Sequence, residues 1–501
     1  MKGFFKWFKS NTKIKRWILL IIIGVLLCCY GMAEVLTSKQ MEFINLAKIA
    51  AIFVVGFICI VYSIIAIQKR TLEILVENSD KRVKDETSNL KTLIFNKKVY
   101  NQGPKVVAIG GGAGLNSVLK GLKNYTDNIT AIVTVSDYGE PKTESRKMLD
   151  VLPLDDVKES IIALSSDEEA MENLMNFKFN SGRLSNLSFS DMYFLAMNTL
   201  YNDFTESVKE SQNIFNMTGK VLPVTLEEIK ICAELEDGTV IESKDKIPEL
   251  INDTTSKISR IFITPSNCKP APGVIEAIME ADAIVIGPGS LYTNVIPNLL
   301  VKGVAKAIKE SKAFKIYVSN LMTEPGQTDN YTLSEHIKAI NEHVGKGVIQ
   351  YCIYDTGEIT PEYIRKYNME GSELVEQDVS KVKVEGVSLI QRNLSHIENG
   401  KIRHNPDAIA ASIIQLICDD LKFNNMENNA QYMMLNKKLK SSKKSLKKQT
   451  KDNKKNVKNK KGKRTKMGKS KFFDKYSDRI QSIRESEIKQ EERQKQMQKK
   501  K

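Results

Sequence analysis

The sequence predicts a protein of the α/β class, in which a mainly parallel sheet follows a two-helix transmembrane hairpin and precedes a disordered basic tail. Three observations predict this arrangement. Two long apolar runs lie near the amino end, short β-rich runs in the middle of the chain end in glycine and lead into helical spacing, and the last 65 residues are dominated by lysine. A chain of 501 residues is too long for one ordinary domain, which agrees with a division into segments.

The first segment, residues 1–70, is predicted to be the membrane hairpin. Its apolar runs, Trp17 to Ala33 and Ile49 to Ile67, are 17 and 19 residues long. This is about the minimum needed to cross a hydrocarbon core of about 30 Å. A cleaved signal peptide is the alternative for the first run, but no small-residue cleavage site follows promptly and a second run comes soon after. Residues 71–103 are predicted to form a charged linker helix.

The basic residues around the two apolar runs predict the orientation of the hairpin. Several Lys and Arg precede the first run and Lys69 and Arg70 follow the second, whereas the short connection Glu34 to Phe43 has one Lys and two Glu. By the positive-inside rule, both termini and the main domain lie in the cytoplasm of a two-pass protein of the cell membrane, with residues 17–67 in contact with lipid. Seven cysteines without disulfide or zinc-site spacing agree with a reducing compartment.

The third segment, residues 104–425, begins with a βαβ unit whose first turn is almost entirely glycine. The run Val106 to Ile109 predicts a buried strand, Leu115 to Tyr125 has helical spacing, and Ile129 to Val135 predicts a second strand that leads into Asp137. Glycine lets backbone N–H groups approach a phosphate closely, and the amino end of a helix favours an anion. The predicted phosphate turn contains Gly110, Gly111, Gly112 and Gly114, and Asp137 lies where a ribose or a cation is usually contacted.

A second turn of the same kind occurs later in this segment. Ala283 to Ile286 predicts a buried strand, which is followed by Gly287-Pro288-Gly289-Ser290 and by a predicted helix start. A third strand, Lys315 to Ser319, ends in Asn320. Two such turns at the carboxyl ends of parallel strands predict a site for a diphosphate at a topological switch point. The alternative is that each is only a tight strand-to-helix turn.

Other classes of chemistry have no candidate residues. There is no Ser-His-Asp order and no Gly-x-Ser-x-Gly elbow, so we identify no catalytic residue. His336 and His343 share a helical face, but neither a carboxylate nor a cysteine completes a ligand set, so we identify no metal site.

Residues 437–501 have a net charge of +20 and the other 436 residues have a net charge of −5, which argues against a main domain that binds nucleic acid.

Three stretches carry a resemblance to a known family. They are KVVAIGGGAGLNSVLKGLKNYTDNITAIVTVS (105–136), ADAIVIGPGSLYTNVIPNLL (281–300) and KIYVSNLMTEPGQTDNYT (315–332). Residues 104–421 resemble the YvcK-type gluconeogenesis factors, a branch of the superfamily of the 2-phospho-L-lactate transferase CofD. The resemblance implies a Rossmann-like three-layer sandwich that binds UDP-sugars such as UDP-N-acetylglucosamine, with no established reaction. It also implies links to cell shape, envelope synthesis and growth on gluconeogenic carbon.

By the family pattern, the ligand cleft is lined by the first glycine turn, Asp137 and the block from Gly287 to Thr293. Asn320, at the end of the third strand, is added to this set. The predicted ligand-binding residues around the second turn are therefore Gly287, Gly289, Ser290, Tyr292, Thr293 and Asn320. We predict that the ring of Tyr292 contacts the ligand.

The sequence departs from the family pattern in two places. The family shows paired aspartates after the second strand, of which Asp137 alone is present here, and residues 186–191 lack the His, glycines and Asn of a Gly-His-Ser-x-Gly-Asn stretch. Loss of a carboxylate removes a ligand for a cation in phosphoryl transfer. The departures therefore argue against the transferase reaction.

The last segment, residues 426–501, is predicted to be a Lys-rich tail. Residues 437–471 are low-complexity and are predicted to be disordered, and residues 474–500 regain helical character. A tail of this charge near an anionic leaflet is drawn to it, each basic residue contributing about 1 kcal/mol. RNA binding and a simply solvated tail are the alternatives.

Three hypotheses remain open at this point. The first is a membrane-anchored regulatory protein that binds a UDP-sugar and needs no cofactor. The sequence leaves open whether this protein also binds a divalent cation and whether it self-associates. The second is a transferase of the CofD type that uses Asp137 with a divalent cation. The third is a scaffold whose cleft binds nothing.

Overall fold

The computed structural model describes residues 15–37, 43–77, 103–134, 155–180, 187–244, 246–248, 256–424 and 431–444. Asp137, most of the predicted linker helix and residues 445–501 of the tail lie outside the described residues. The chain divides into two compact units, Met1–Lys438 and Leu439–Lys501. In the second unit, residues 439–444 are helical.

The numbered helices are α1 (Lys15–Thr37), α2 (Phe43–Glu77), α3 (Gly112–Leu122), α4 (Asp155–Leu164), α5 (Glu168–Met175), α6 (Phe189–Tyr201), α7 (Phe204–Ile214), α8 (Val274–Glu280), α9 (Ile296–Leu300), α10 (Val304–Glu310), α11 (Leu333–Val344), α12 (Pro361–Met369), α13 (Val379–Val384) and α14 (Pro406–Phe423), with a π-helical turn (Leu291–Val295) before α9. Residues 431–444 are also helical. The strands are β1 (Val106–Gly110), β2 (Ile129–Val133), β3 (Lys220–Pro223), β4 (Lys230–Leu235), β5 (Val240–Glu242), β6 (Ile258–Thr264), β7 (Ala283–Ile286), β8 (Phe314–Val318), β9 (Tyr351–Asp355), β10 (Ser388–Arg392), β11 (Ser395–Glu398) and β12 (Lys401–His404).

Helices α1 and α2 are long and apolar enough to span a membrane, over Arg16–Leu36 and Ala47–Lys69, with mean hydropathies of 2.5 and 2.8. They pack on each other through glycine. A Cβ on Gly24 would lie 2.9 Å from the carbonyl oxygen of Gly56, and a Cβ on Gly56 would lie 2.9 Å from that of Gly24. Small residues at such a crossing let two helices approach closely inside a bilayer. Most other apolar side chains of both helices are exposed, as lipid-facing side chains are.

The main sheet is parallel, and its strands lie in the order β10-β9-β8-β7-β1-β2-β3. Its central strands are buried throughout, which explains why Val106 to Ile109 and Ala283 to Ile286 are continuous apolar runs. Strand β1 pairs with β2 on one side and with β7 on the other. The chain therefore moves outward in opposite directions from β1, and the gap between the carboxyl ends of β1 and β7 is the topological switch point of the sheet.

Helices cover both faces of this sheet. On one face, Val107 and Ile109 join a core with residues of α8, α10 and α11, such as Ile278, Ile308 and Ile340. On the other, α3 packs against α4 and α14. The three-layer α/β fold with a mainly parallel sheet is thus confirmed.

A second, smaller sheet lies between the two halves of the main sheet in sequence. The residues from Val221 to Ile241 divide between β3 of the main sheet and a separate antiparallel sheet of order β5-β4-β6. Asp237 and Gly238 form the turn between β4 and β5. A short apolar run predicts a strand but not its sheet, since that depends on distant partners.

The helical residues 431–438 pack on the main domain. Leu435 is 2% exposed, and the ammonium group of Lys438 donates to the carbonyl of Asn124 and lies 5.7 Å from the ring centroid of Tyr125. Residues 437–444, the first part of the segment expected to be disordered, are therefore helical. The lysine composition predicted disorder, but Leu435, four residues before Leu439, gives this helix an apolar face.

Candidate functional site

The two glycine turns meet at the switch point of the main sheet. The first follows β1 and the second follows β7, and the backbone N–H of Gly287 donates to the carbonyl of Ile109 at 2.9 Å. Both turns lie at the carboxyl edge of the sheet, as the spacing of the glycines predicted. The first turn also supplies the amino end of α3, and the amino end of a helix favours an anion.

The glycines are needed for the close approach of the turns to each other. A Cβ on Gly114 would lie 2.4 Å from the carbonyl oxygen of Pro288, and a Cβ on Gly289 would lie 2.9 Å from that of Gly111. Gly112 and Gly287 also have positive φ angles, of +64° and +67°, which side-chain-bearing residues rarely adopt. The tight-turn alternative thus explains part of the glycine content, and it coexists with the anion-favouring helix end.

A buried carboxylate lies at the amino end of α3. The N–H of Gly112 donates to Oδ1 of Asp156 at 2.9 Å, and Oδ2 of Asp156 lies 3.4 Å from Nζ of Lys244. Both side chains are 8% exposed. Neither was among the predicted site residues, because they come from α4 and from the segment after β5. The one available signal was the acidic pair Asp155-Asp156 before a helical pattern, which is also typical of an ordinary helix start.

The second turn is held by Asn320, which follows β8. Its Nδ2 donates to the carbonyl of Gly289 at 3.0 Å, and its Oδ1 accepts from the N–H of Gly289 at 3.4 Å. Ser290 is half-buried beside this pair. Burial raises the pKa of the nearby Glu324 carboxyl group, and the hydroxyl of Ser290 opposes that shift. Asn320 and Ser290 are thus brought to the site, together with a buried acid that the prediction had not included.

Tyr292 lies in the core rather than at the surface of the site. Its ring is 2% exposed, and its hydroxyl lies 2.7 Å from the hydroxyl of Tyr331. The ring also makes edge contacts with Tyr331 and His343. Thr293, the next residue, is buried as well. A ring in this position packs the domain, so we leave Tyr292 out of the ligand site that we propose below.

A cavity of about 440 Å³ lies beside the second turn, at the carboxyl ends of β8 and β9. Its lining includes Ser319, Asn320, Tyr354, Asp355 and Gln377. Asn320 lines the cavity and also bonds to Gly289, so the cavity and the second turn are adjacent. Cavities that hold small ligands have volumes of about 300–1,000 Å³ and a few convergent polar groups, and this one fits that range.

The loops around the cavity are fixed by two buried side chains. Oδ1 of Asp355 accepts from the N–H groups of Gly357, Leu394 and Ser395, at 3.0, 2.6 and 3.0 Å. Nε2 of His404 lies 2.9 Å from the carbonyl oxygen of Ser319 and donates to it. Burial lowers the pKa of His404 to about 4, so its imidazole is neutral at pH 7.

Within the part of the chain that the structure describes, no three side chains of His, Cys, Asp or Glu are grouped so that they could hold a metal ion. Asp137, the predicted contact for a ribose or a cation, lies outside those residues, so its role stays a prediction.

Residues 106–395 match the family described as 2-phospho-L-lactate transferase CofD. The chain is 38% identical over 441 residues to a putative gluconeogenesis factor of Clostridium acetobutylicum, covering 88% of this chain and 98% of that one. It is also 38% identical to the gluconeogenesis factor of Bacillus subtilis over 317 residues, 63% of this chain and 99% of that one.

A solved structure agrees with these matches. The crystal structure of a UPF0052 family protein from Bacillus halodurans has 40% sequence identity to this chain and a TM-score of 0.58, and covers 62% of this chain and 98% of its own. The glycine turns at the switch point therefore lie in a domain whose sequence and fold both have close relatives. The chain belongs to the CofD family, and within it to the gluconeogenesis factors.

Proposed function

We propose that this protein is a membrane-anchored regulatory protein that binds a sugar nucleotide, with UDP-N-acetylglucosamine or a related UDP-sugar as its ligand. The observation that carries the proposal is the meeting of two glycine turns with the amino end of α3 at the switch point of a parallel sheet. In open parallel sheets this is where phosphate-bearing ligands bind. A regulatory role in gluconeogenic growth and in cell shape is the part of the proposal that rests on family membership.

In the proposed complex, the diphosphate lies at the two turns, against backbone N–H groups that include those of Gly112 and Gly289. The remainder of the ligand extends past Asn320 into the cavity of about 440 Å³ beside the second turn. Ser290 offers a hydroxyl group to the same region. Asp137 serves the ribose or a divalent cation, as expected from its place after the second strand.

The membrane anchor in the proposal is the pair α1 and α2. Their length, their hydropathy and the glycine contact between them support a transmembrane hairpin. The basic residues outside the two spans favour cytoplasmic termini and a cytoplasmic main domain. The net charge of +20 after residue 436 favours contact of the tail with an anionic leaflet, and RNA is the alternative partner.

Titration calorimetry of the full-length protein in detergent tests whether it binds the proposed ligand. UDP-N-acetylglucosamine is the titrant, with or without Mg²⁺. We expect saturable binding, and we expect Asn320→Ala to weaken it about tenfold, since this change removes both contacts to Gly289. Asn341→Ala is the matched control, because Asn341 lies on α11 and bonds to Glu385 outside the site. Absence of saturable binding with any nucleotide would instead support a scaffold.

A transferase of the CofD type is the second candidate, and the match of residues 106–395 to that family favours it. The same titration distinguishes the two functions if the mixture is analysed afterwards by mass spectrometry. Transfer of a group from the ligand to water with Mg²⁺ present would support the transferase, whereas recovery of intact ligand supports the regulatory protein. An Asp137→Asn variant should abolish conversion if that carboxylate holds the cation.

A further inference from the structure

A buried ion pair occupies the place where the proposed ligand would have its phosphate. Asp156 accepts from the N–H of Gly112 at the amino end of α3 and pairs with Lys244, and both side chains are 8% exposed. Burying two opposite charges costs more solvation than their attraction commonly returns, so such a pair is weak support for stability. Its position at an anion-favouring helix end suggests a different use.

A second side chain points to a ligand at the same place. Asn294 is 9% exposed, and its Oδ1 has no hydrogen-bond partner among the described residues. A Cβ on Gly111 would lie 3.2 Å from Cγ of Asn294 and 3.0 Å from Oδ2 of Asp156, so the amide and the carboxylate flank the same glycine. A buried polar atom without a partner is uncommon in folded proteins. Oδ1 of Asn294 is therefore an acceptor that a hydroxyl or N–H group of a ligand beside Gly111 can use.

We infer that the N–H of Gly112 and the ammonium group of Lys244 form a phosphate-binding pair, which Asp156 occupies in the ligand-free protein and which a phosphate of the ligand takes over. A carboxylate and a phosphate accept from the same donors, but the phosphate has more acceptor oxygens and more charge. Asp156 then acts as an internal competitor that lowers the apparent affinity of the site. This inference rests on the proposed function, and it adds Lys244 to the ligand-binding residues.

Variants at the pair give opposite expected results. In calorimetry of the full-length protein with inorganic pyrophosphate and with UDP-N-acetylglucosamine, we expect Asp156→Asn to bind about tenfold more tightly, because the competing charge is gone. We expect Lys244→Gln to bind about tenfold more weakly, because a charged donor is lost. Lys158→Gln is the matched control, since Lys158 lies on α4 and has an ion pair of the same length, 3.4 Å, to Asp155.

The outcomes distinguish a failure of the proposed function from a failure of the inference about Asp156 and Lys244. If wild-type protein binds neither probe, the proposed function fails and this inference fails with it. If wild-type protein binds but Asp156→Asn binds equally or more weakly, Asp156 is not a competitor and the inference alone is overturned. Unchanged affinity in Lys244→Gln would overturn it as well.

Removing one member of a buried pair can unfold a domain, so a measurement on wild-type protein is also required. Carbodiimide coupling of glycinamide labels accessible carboxylates, and peptide mass spectrometry identifies them. We expect pyrophosphate to increase the labelling of Asp156, since the displaced carboxylate leaves its buried partners. Labelling that stays the same or decreases would contradict the displacement.

Discussion

The side-chain amide of Asn298 donates a hydrogen bond to the carbonyl of Gly110, 188 residues earlier in the chain, at 3.1 Å. The same Nδ2 atom lies 2.6 Å from Oγ1 of Thr134 and 2.7 Å from the carbonyl of Asn294. Asn298 is fully buried in α9, so it ties the helix after the second glycine turn to the first turn and to the end of β2. The geometry of the switch point depends on this side chain.

Replacement of Asn298 should therefore destabilise the domain. Asn298→Ala leaves the carbonyl of Gly110 without this donor, which we expect to cost about 1–3 kcal/mol in free energy of unfolding. Thermal unfolding in detergent measures this cost, with Asn213→Ala as the control, since Asn213 bonds to Glu210 on the exposed face of α7. An unchanged melting temperature would show that Asn298 does not hold the turn.

Tyr292→Phe separates packing from ligand contact. The change removes the hydroxyl pair with Tyr331 but keeps the buried ring, so we expect a loss of about 1 kcal/mol in stability and no change in affinity for UDP-N-acetylglucosamine. Unfolding and calorimetry on the same preparation check both expectations, with the more exposed Tyr201→Phe as control. Weaker binding at unchanged stability would restore Tyr292 to the ligand site.

His404 should make the domain less stable in acid. Its pKa is about 4 in the folded protein, mainly because of burial, against an ordinary value of 6.5, so the unfolded chain binds a proton first as the pH falls. Stability from this group is complete above about pH 6.5 and declines between pH 6.5 and 4, by about 3 kcal/mol at most. Asp355, His396 and Arg403 also act on its charge.

The test of this pH dependence compares wild-type protein with His404→Gln. Glutamine retains a donor for the carbonyl of Ser319 but does not titrate. We expect the difference in unfolding free energy between the two proteins to shrink as the pH falls from 7 to 4.5. A difference that is constant over this range would exclude His404 as the source.

Reporter fusions test the predicted orientation of the hairpin. Green fluorescent protein fused after Lys501 should fluoresce, because the carboxyl end is expected in the cytoplasm. Alkaline phosphatase inserted between α1 and α2 should be active, because that connection is expected on the outer side. The reciprocal fusions serve as controls, and activity of the phosphatase at the carboxyl end would reverse the topology.

The central strands and the two glycine turns could be predicted from the sequence because each depends on neighbouring residues. Val106 to Ile109 is apolar throughout since a strand between two helical layers is buried on both faces, and the turn after it needs glycine. The two apolar helices could also be predicted from neighbouring residues, since length and hydropathy alone define them.

The rest of the site depends on contacts between distant residues. Asp156 and Lys244 are 88 positions apart, and no spacing rule brings them to Gly112. The burial of Tyr292 follows from its partner Tyr331, 39 positions later, whereas in the sequence the same ring looked available to a ligand. Pattern predicts which face of an element is apolar, but tertiary packing decides which polar groups share that face.

Val106 in β1 lies opposite Ala283 in β7, which is synthesised 177 residues later. At translation rates of about 5–20 residues per second, the ribosome needs about 10–35 seconds to supply the missing partner strand. By then α1 and α2 have long left the exit tunnel. If they form the proposed anchor, they enter the bilayer before the central sheet can close, and the domain completes its folding while its amino end is already held at the membrane.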